Sequence, residues 1–232
     1  MVGVAVVDLF AGLQLTVGIQ AGLLARAKTG LGQHVDVSLL DSAIAMTANV
    51  GMNYLSTGEV PPRLGNEHPN IVPYQVFEVA QEQHLILACG NDTQFAAVCR
   101  VMQQDWDMDE RFARNPLRVQ NRQALIPMMQ QAFLSKTRDE WLSLFEAAGV
   151  PCGPINNIAE ALSMPQVEHR HMVIDFAANN SPVRMLGSPL HLSSTPVQYR
   201  SAPPKIGQDT DEVLSQRYSV EQLAQFKDTG VI

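Results

Sequence analysis

The sequence predicts an α/β fold in two parts, and three observations point to it. A long uncharged segment, Leu9 to Ala25, carries leucine and β-branched residues at helical spacing directly after a short apolar run, Val4 to Val7. Two β-rich runs, Tyr74–Val79 and His84–Cys89, precede a series of segments with helical periodicity. Between these regions, Ser56 to Pro73 holds Gly58, Pro61, Pro62, Gly65, Pro69 and Pro73, which do not fit together in regular elements and mark a linker.

The chain has 232 residues, enough for one large domain or two modest ones, and 46% of them are hydrophobic, enough for a real core. A net charge of −7 excludes a general nucleic-acid or anionic-membrane binder. It does not exclude small anionic ligands, which a local cluster of arginines can hold. Cys89, Cys99 and Cys152 are widely spaced, form no CxxC pair, and fit a reducing, cytoplasmic setting. The opening residues do not read as a secretory signal, because Asp8 interrupts the apolar run and no basic stretch precedes it. Leu9–Ala25 is short for a membrane span and contains Gln14, Thr16 and Gln20, so it reads as the buried helix of a globular protein.

Taken in order, Val4–Val7 reads as a strand or extended approach. The helix behind it ends at Arg26 and Lys28, which suit a helix C-terminus, with Gly30 as the residue that stops it. Asp8 falls at or just before the helix start. A carboxylate there suits a nucleophile or base, and equally a helix cap; spacing alone favours the cap. His34–Leu39 alternates, with Val35, Val37 and Leu39 on one side, and reads as a half-buried strand. Ser38 and Asp41 fit a capping box, and a helix follows from about Leu40 to Leu55, with Leu40, Ile44, Thr47, Ala48 and Met52 facing the core.

Beyond the linker, Tyr74–Val79 and His84–Cys89 form a hairpin. Asp92 or Thr93 caps a helix running through Phe95, Val98, Cys99 and Met102. Asp105–Arg111 is a polar turn, Leu117–Lys136 is helical, and Thr137 with Glu140 boxes the next helix, which stops at Gly149. Val150–Pro154 is rigid turn material. Asn157 caps a short helix, Ile158–Ser163. His169 and His171 have no third ligand at zinc spacing, so no metal site is expected. Val173–Phe176 and Val183–Leu186 are strands around an Ala177–Pro182 turn. Ser188–Ile206 is proline-rich and extended, and Asp209–Gln216 and Val220–Lys227 are two final helices. No phosphate loop, Walker motif or nucleophile elbow is present, and there are no internal repeats.

Several stretches, in their order, resemble one family. They are Val4–Asp8 with Ala11-Gly12-Leu13, Arg26–Gln33 with His34–Asp41, Arg63-Leu64-Gly65-Asn66-Glu67-His68-Pro69, Val72–Phe77, Gly149–Asn157 and Ile206–Leu214. Together they resemble the family III CoA-transferases, the CaiB/BaiF and formyl-CoA transferase-like proteins, which also include the α-methylacyl-CoA racemases. Ala48-Asn49 to Leu55, Ile71–Gln75 and Leu117–Arg122 resemble the branch that uses succinyl-CoA with glutarate- or hydroxymethylglutarate-type acids.

The resemblance implies the C-terminal part of that fold, without its N-terminal Rossmann-like region. Residues 1–56 are then the remaining core of the large α/β domain and 57–73 a linker. Residues 74–164 are a small α+β domain, and 165–232 a returning linker and tail. It implies a homodimer of interlocked chains, with no metal and no permanently bound cofactor, and with coenzyme A thioesters as substrates. Asp8 matches the nucleophilic carboxylate, while Leu39, Arg63, Gly65, Asn66, His68, Gly90 and Asn91 match substrate- or CoA-binding positions. The Gly65–Asn70 loop stands where the transferases carry a glycine-rich flap, here with Gly65 alone. Two other readings stay open: an α-methylacyl-CoA racemase, with Asp8 and Asp92 near proton-transfer positions, and a truncated, inactive remnant.

Overall fold

A computed structural model describes residues 3–176 and 183–232. The chain forms two compact units, Met1–Ile155 and Asn156–Ile232. In the first, helix α1 (Val6–Thr29) is followed by α2 (Leu39–Ala45) and α3 (Ala48–Thr57). Strands β1 (Tyr74–Glu78) and β2 (His84–Ala88) then lead to helices α4 (Asp92–Met102), α5 (Asn115–Gln120), α6 (Arg122–Phe133) and α7 (Arg138–Ala147), and strand β3 (Cys152–Pro154) closes the unit.

The expected hairpin is present. β1 and β2 pair antiparallel from Tyr74↔Ala88 to Glu78↔His84. Their alternation buries Phe77, Leu85 and Leu87 against the helices and leaves Glu78 and His84 exposed. β3 adds to the far side of β2, with Leu85 opposite Pro154 and Leu87 opposite Cys152. The sequence reads this stretch as turn material only: two prolines and a glycine hide a strand that donates little, which an edge position tolerates.

Phe133 is the centre of the core. Its ring stacks on Phe77 at 4.5 Å and meets Trp141 at 5.4 Å and Phe145 at 5.9 Å. Trp141 Nε1 donates to the Phe133 carbonyl at 2.9 Å, so the indole is buried without an orphaned donor. Phe95, Phe112, Leu125 and Met129 complete this layer. The Thr137–Glu140 capping box on α7 forms as expected.

Other elements differ from expectation. Val6 and Val7 lie inside α1, and among the described residues no strand precedes the helix. Residues 34–38 are extended, with Val35 and Val37 half-buried, yet they pair with no strand among the described residues. They lie back along α1, where Gly18 and Gly22 leave room: a Cβ at Gly18 would come within 2.8 Å of Val35 Cγ1. The alternation is real, but its partner is a helix face. Ser38 caps α2, accepting from the Asp41 N–H at 3.0 Å. The single helix expected from 40 to 55 breaks at Met46–Thr47, where the Thr47 hydroxyl donates to the Ile44 carbonyl at 2.7 Å.

Asn91, not Asp92 or Thr93, caps α4. The 117–136 helix divides at Asn121, whose side-chain amide donates to the Leu117 carbonyl and competes with the backbone. Within the 105–111 turn, Trp106 is buried in a single 3-10 turn.

Among the described residues α1 stays largely exposed. The helix ends as expected, with Gly30 at φ 76° donating to the Arg26 carbonyl, but Ala11 alone along it is buried. Leu9, Leu13, Val17, Leu23 and Leu24 are exposed, as are Leu40, Ile44 and Met52 on α2 and α3. The apolar residues of α1 run around its whole circumference, so α2 and residues 33–38 cover one side and leave the rest. By length and composition alone α1 would also span a bilayer.

In the second unit, Asn157 caps α8 (Ile158–Leu162) through a full capping box, and α9 (Pro165–His169) follows. β4 (Val173–Phe176) pairs antiparallel with β5 (Val183–Leu186). The expected Ala177–Pro182 turn lies outside the described residues. The 188–206 stretch is largely extended and returns to this hairpin, where the Ser188 N–H donates to the Tyr199 hydroxyl and the Tyr199 ring meets Phe176 edge-on. Helices α10 (Thr210–Leu214) and α11 (Val220–Asp228) are tied by Lys227 and Asp211 at 2.7 Å.

Candidate functional site

Asp8 occupies the third position of α1, three residues beyond the cap position. Ala5 is the N-cap and makes no side-chain cap bond, so Asp8 lies in the first turn without capping it. Its carboxylate is exposed and has no hydrogen bond or ion pair among the described residues. The unsatisfied N–H groups and the macrodipole of a 24-residue helix favour negative charge at this end. The result is an unencumbered carboxylate on a rigid element.

Leu39 is the first residue of α2 and is 53% exposed. Gly90 and Asn91 join β2 to α4 and serve the turn itself. Asn91 Oδ1 accepts from the Gln94 N–H, and the Gly90 N–H donates to Gln94 Oε1. Cys89, beside them, bonds its N–H to the Pro73 carbonyl, which brings this turn to the end of the 63–73 loop. Burial pushes the Cys89 thiol up to about 11, against the lowering effect of Arg118, and that of Cys99 up to about 12. Neither is a thiolate nucleophile near neutrality.

The loop from Arg63 to Pro73 is held far more tightly than its composition suggests. Asn66 Oδ1 accepts the Val76 N–H at 3.0 Å. Glu67 pairs with Arg122 at 2.8 Å, and the other Arg122 nitrogen donates to the His68 and Pro69 carbonyls at 2.8 and 3.1 Å. The Asn70 side chain exchanges hydrogen bonds with Asn53 on α3, and its carbonyl accepts from Asn115. Asn115 Oδ1 receives the Val72 N–H.

Behind the loop, Arg118 is fully buried. It donates to the Val72 carbonyl at 2.7 Å, the Phe112 carbonyl at 2.9 Å and Asp92 Oδ1 at 2.7 Å, with its guanidinium 4.3 Å over the Phe95 ring. Gly65 sits at φ 63°, the one point of the loop that needs a glycine. Arg63 is exposed and unpaired among the described residues.

Arg118, Arg122 and Asn115 escape the reading of individual residues. The available signal was a pair of arginines four apart in a stretch that reads as one core-facing helix, where buried cations need partners, although the structure places them on α5 and α6. Asp92, a racemase-type candidate, accepts from both Arg118 and the Asn115 N–H, so it is a structural anchor. Among the described residues no group of three His, Cys, Asp or Glu is placed to hold a metal. A cavity of about 590 Å³ lies in the second unit between Leu162, Glu168, Arg184 and Leu186, and none of the expected site residues lines it.

The first unit thus combines one long exposed helix, with a free carboxylate in its first turn, and a small helix-covered sheet. The chain superposes on a CaiB/BaiF family protein from Brucella suis with a TM-score of 0.76 and 38% identity, covering 93% of this chain and 56% of that one. The family model for CoA-transferase family III matches residues 1–210, and the chain belongs to that family. It is 39% identical over 224 residues to a succinate–glutarate CoA-transferase of Agrobacterium fabrum, covering 96% of this chain and 56% of that protein. It is 34% identical over 234 residues to the human succinyl-CoA:glutarate CoA-transferase, covering 99% and 53%. The chain thus spans about half the length of the curated relatives it matches.

Proposed function

We propose that this chain supplies the catalytic carboxylate of a CoA-transferase that moves coenzyme A from an acyl-CoA to a dicarboxylic acid. It works in the cytoplasm as a homodimer of interlocked chains. Asp8 carries the reading: an exposed carboxylate, free of partners, in the first turn of a long helix of a family III chain. The dicarboxylate preference is supported by relatives named as succinate–glutarate, succinyl-CoA:glutarate and acetyl-CoA:oxalate CoA-transferases.

In the proposed sequence Asp8 attacks the acyl-CoA carbonyl, the C–S bond breaks, and a mixed anhydride and CoA thiolate result. The thiolate attacks the aspartyl carbonyl and expels the donor acid, leaving an aspartyl-CoA thioester. The acceptor carboxylate displaces the thiolate to form a second anhydride, and the thiolate then attacks the acceptor carbonyl. New acyl-CoA leaves and Asp8 is restored. Each step exchanges one activated acyl group for another, so no cofactor or ATP is required, but water must be excluded. Arg63, Gly65, Asn66 and His68 on one loop, with Leu39, Gly90 and Asn91, are the proposed surroundings of the substrates. The engagement of Asp92 by Arg118 and Asn115 weighs against racemisation.

Hydroxylamine added during incubation with succinyl-CoA is expected to trap a hydroxamate at Asp8, read by peptide mass. Asp8→Asn is expected to lower turnover on the order of a thousandfold or more. Trapping at another residue, or at none, overturns the reading.

A further inference from the structure

Of the polar side chains in the Gly65–Asn70 loop, Asn66, Glu67 and Asn70 are each occupied within the protein. His68 differs. Its backbone N–H donates to the Tyr74 carbonyl at 3.0 Å, and its ring stacks on Tyr74 at 5.2 Å and 19°. Nδ1 accepts the Asn70 N–H at 3.1 Å. A backbone amide can only donate, so Nδ1 carries a lone pair, and a neutral imidazole must hold its proton on Nε2. Nε2 has no partner among the described residues. The half-buried ring therefore presents one fixed N–H donor. The turn that makes this possible, His68 to Asn70, is set by Arg122, which grips the carbonyls of His68 and Pro69 and the carboxylate of Glu67 with one planar fork.

We propose that His68 Nε2–H is a donor for a carboxylate of the acceptor acid, and that Arg122 is the positioning residue that fixes its tautomer and direction. This rests on the CoA-transferase reading for the identity of the ligand, while the tautomer and the brace stand on the geometry alone. Where relatives of this type are expected to carry a mobile glycine-rich flap, this chain has a loop already ordered, and a preorganised donor loses little entropy when a substrate arrives.

Imidazole ¹⁵N spectra of the 232-residue protein at alkaline pH test this, with the His68 signals assigned by their loss in His68→Gln. The expected wild-type pattern is an unprotonated Nδ1 and a protonated Nε2; a protonated Nδ1 overturns the proposal without any variant. Arg122→Lys keeps the charge but cannot hold three acceptors in one plane. It is expected to move both nitrogens toward averaged shifts and to speed amide exchange at Asn70 on the order of tenfold. Emission of Trp106 and Trp141 verifies that the variant stays folded. A variant spectrum matching wild type overturns the role of Arg122. Millimolar glutarate is expected to shift the His68 Nε2 signal and to leave the signals of the other histidines in place. No shift with the tautomer intact overturns the carboxylate assignment while leaving transfer at Asp8 to the hydroxylamine result.

Discussion

Arg118 shows how one side chain links distant parts of the sequence. Its three nitrogens reach Val72, Phe112 and Asp92, and nothing about an arginine in a short helix announces those partners. The caps were legible because Ser38, Thr137 and Asn157 bond to an N–H three residues on, within the reach of a motif. Asp8 was legible as a helix-start carboxylate, but its freedom from a capping role depends on where the first turn begins, a boundary that spacing leaves uncertain by a residue or two. Arg118→Met keeps most of the volume and strands two carbonyls. With each orphaned acceptor costing about 1–3 kcal/mol, the expected loss is roughly 3 kcal/mol in a urea titration followed by tryptophan emission. A loss below about 1 kcal/mol would show that water reaches these carbonyls.

Among the elements, the β1–β2 hairpin was readable because alternation and burial agree along it. Residues 34–38 alternate equally well and are no strand, since a period of two reports that one side is covered and not by what. Phe133 draws α6, α7 and β1 together, and Phe133→Ala is expected to cost about 3–5 kcal/mol and shift Trp141 emission to the red. The two buried thiols, Cys89 at the end of β2 and Cys99 on α4, make a separate prediction. Below about pH 9 they are neutral in folded and unfolded chains alike and favour neither. Between pH 9 and about 11 to 12 the unfolded chain releases protons that the folded one retains, so stability falls as pH rises through that window. Replacing both by alanine is expected to flatten this alkaline slope in urea midpoints measured from pH 8 to 11, whatever it does to stability at pH 8; an unchanged slope would mean the thiols are hydrated.

For the molecule as a whole, the sequence predicts a buried α1, whereas among the described residues the helix is largely exposed, because an apolar run reports a need for cover and not what supplies it. Its apolar residues surround the axis, and those of α2 and α3 continue the exposed surface through Leu40, Ile44, Met52 and Leu55. Exposed apolar residues in this number favour association in water. In the proposed homodimer a second copy covers this surface. Purified alone, the 25.4 kDa chain is expected to sediment as a dimer or larger species and to enhance the fluorescence of an apolar dye. Leu13→Asn combined with Leu24→Asn should weaken both effects. The urea midpoint of tryptophan emission should stay within about 0.5 kcal/mol, because Trp106 and Trp141 report a core that α1 does not enter. A monomer that leaves the dye dark would mean that α1 finds cover within its own chain, and the interlocked dimer would lose its physical motive.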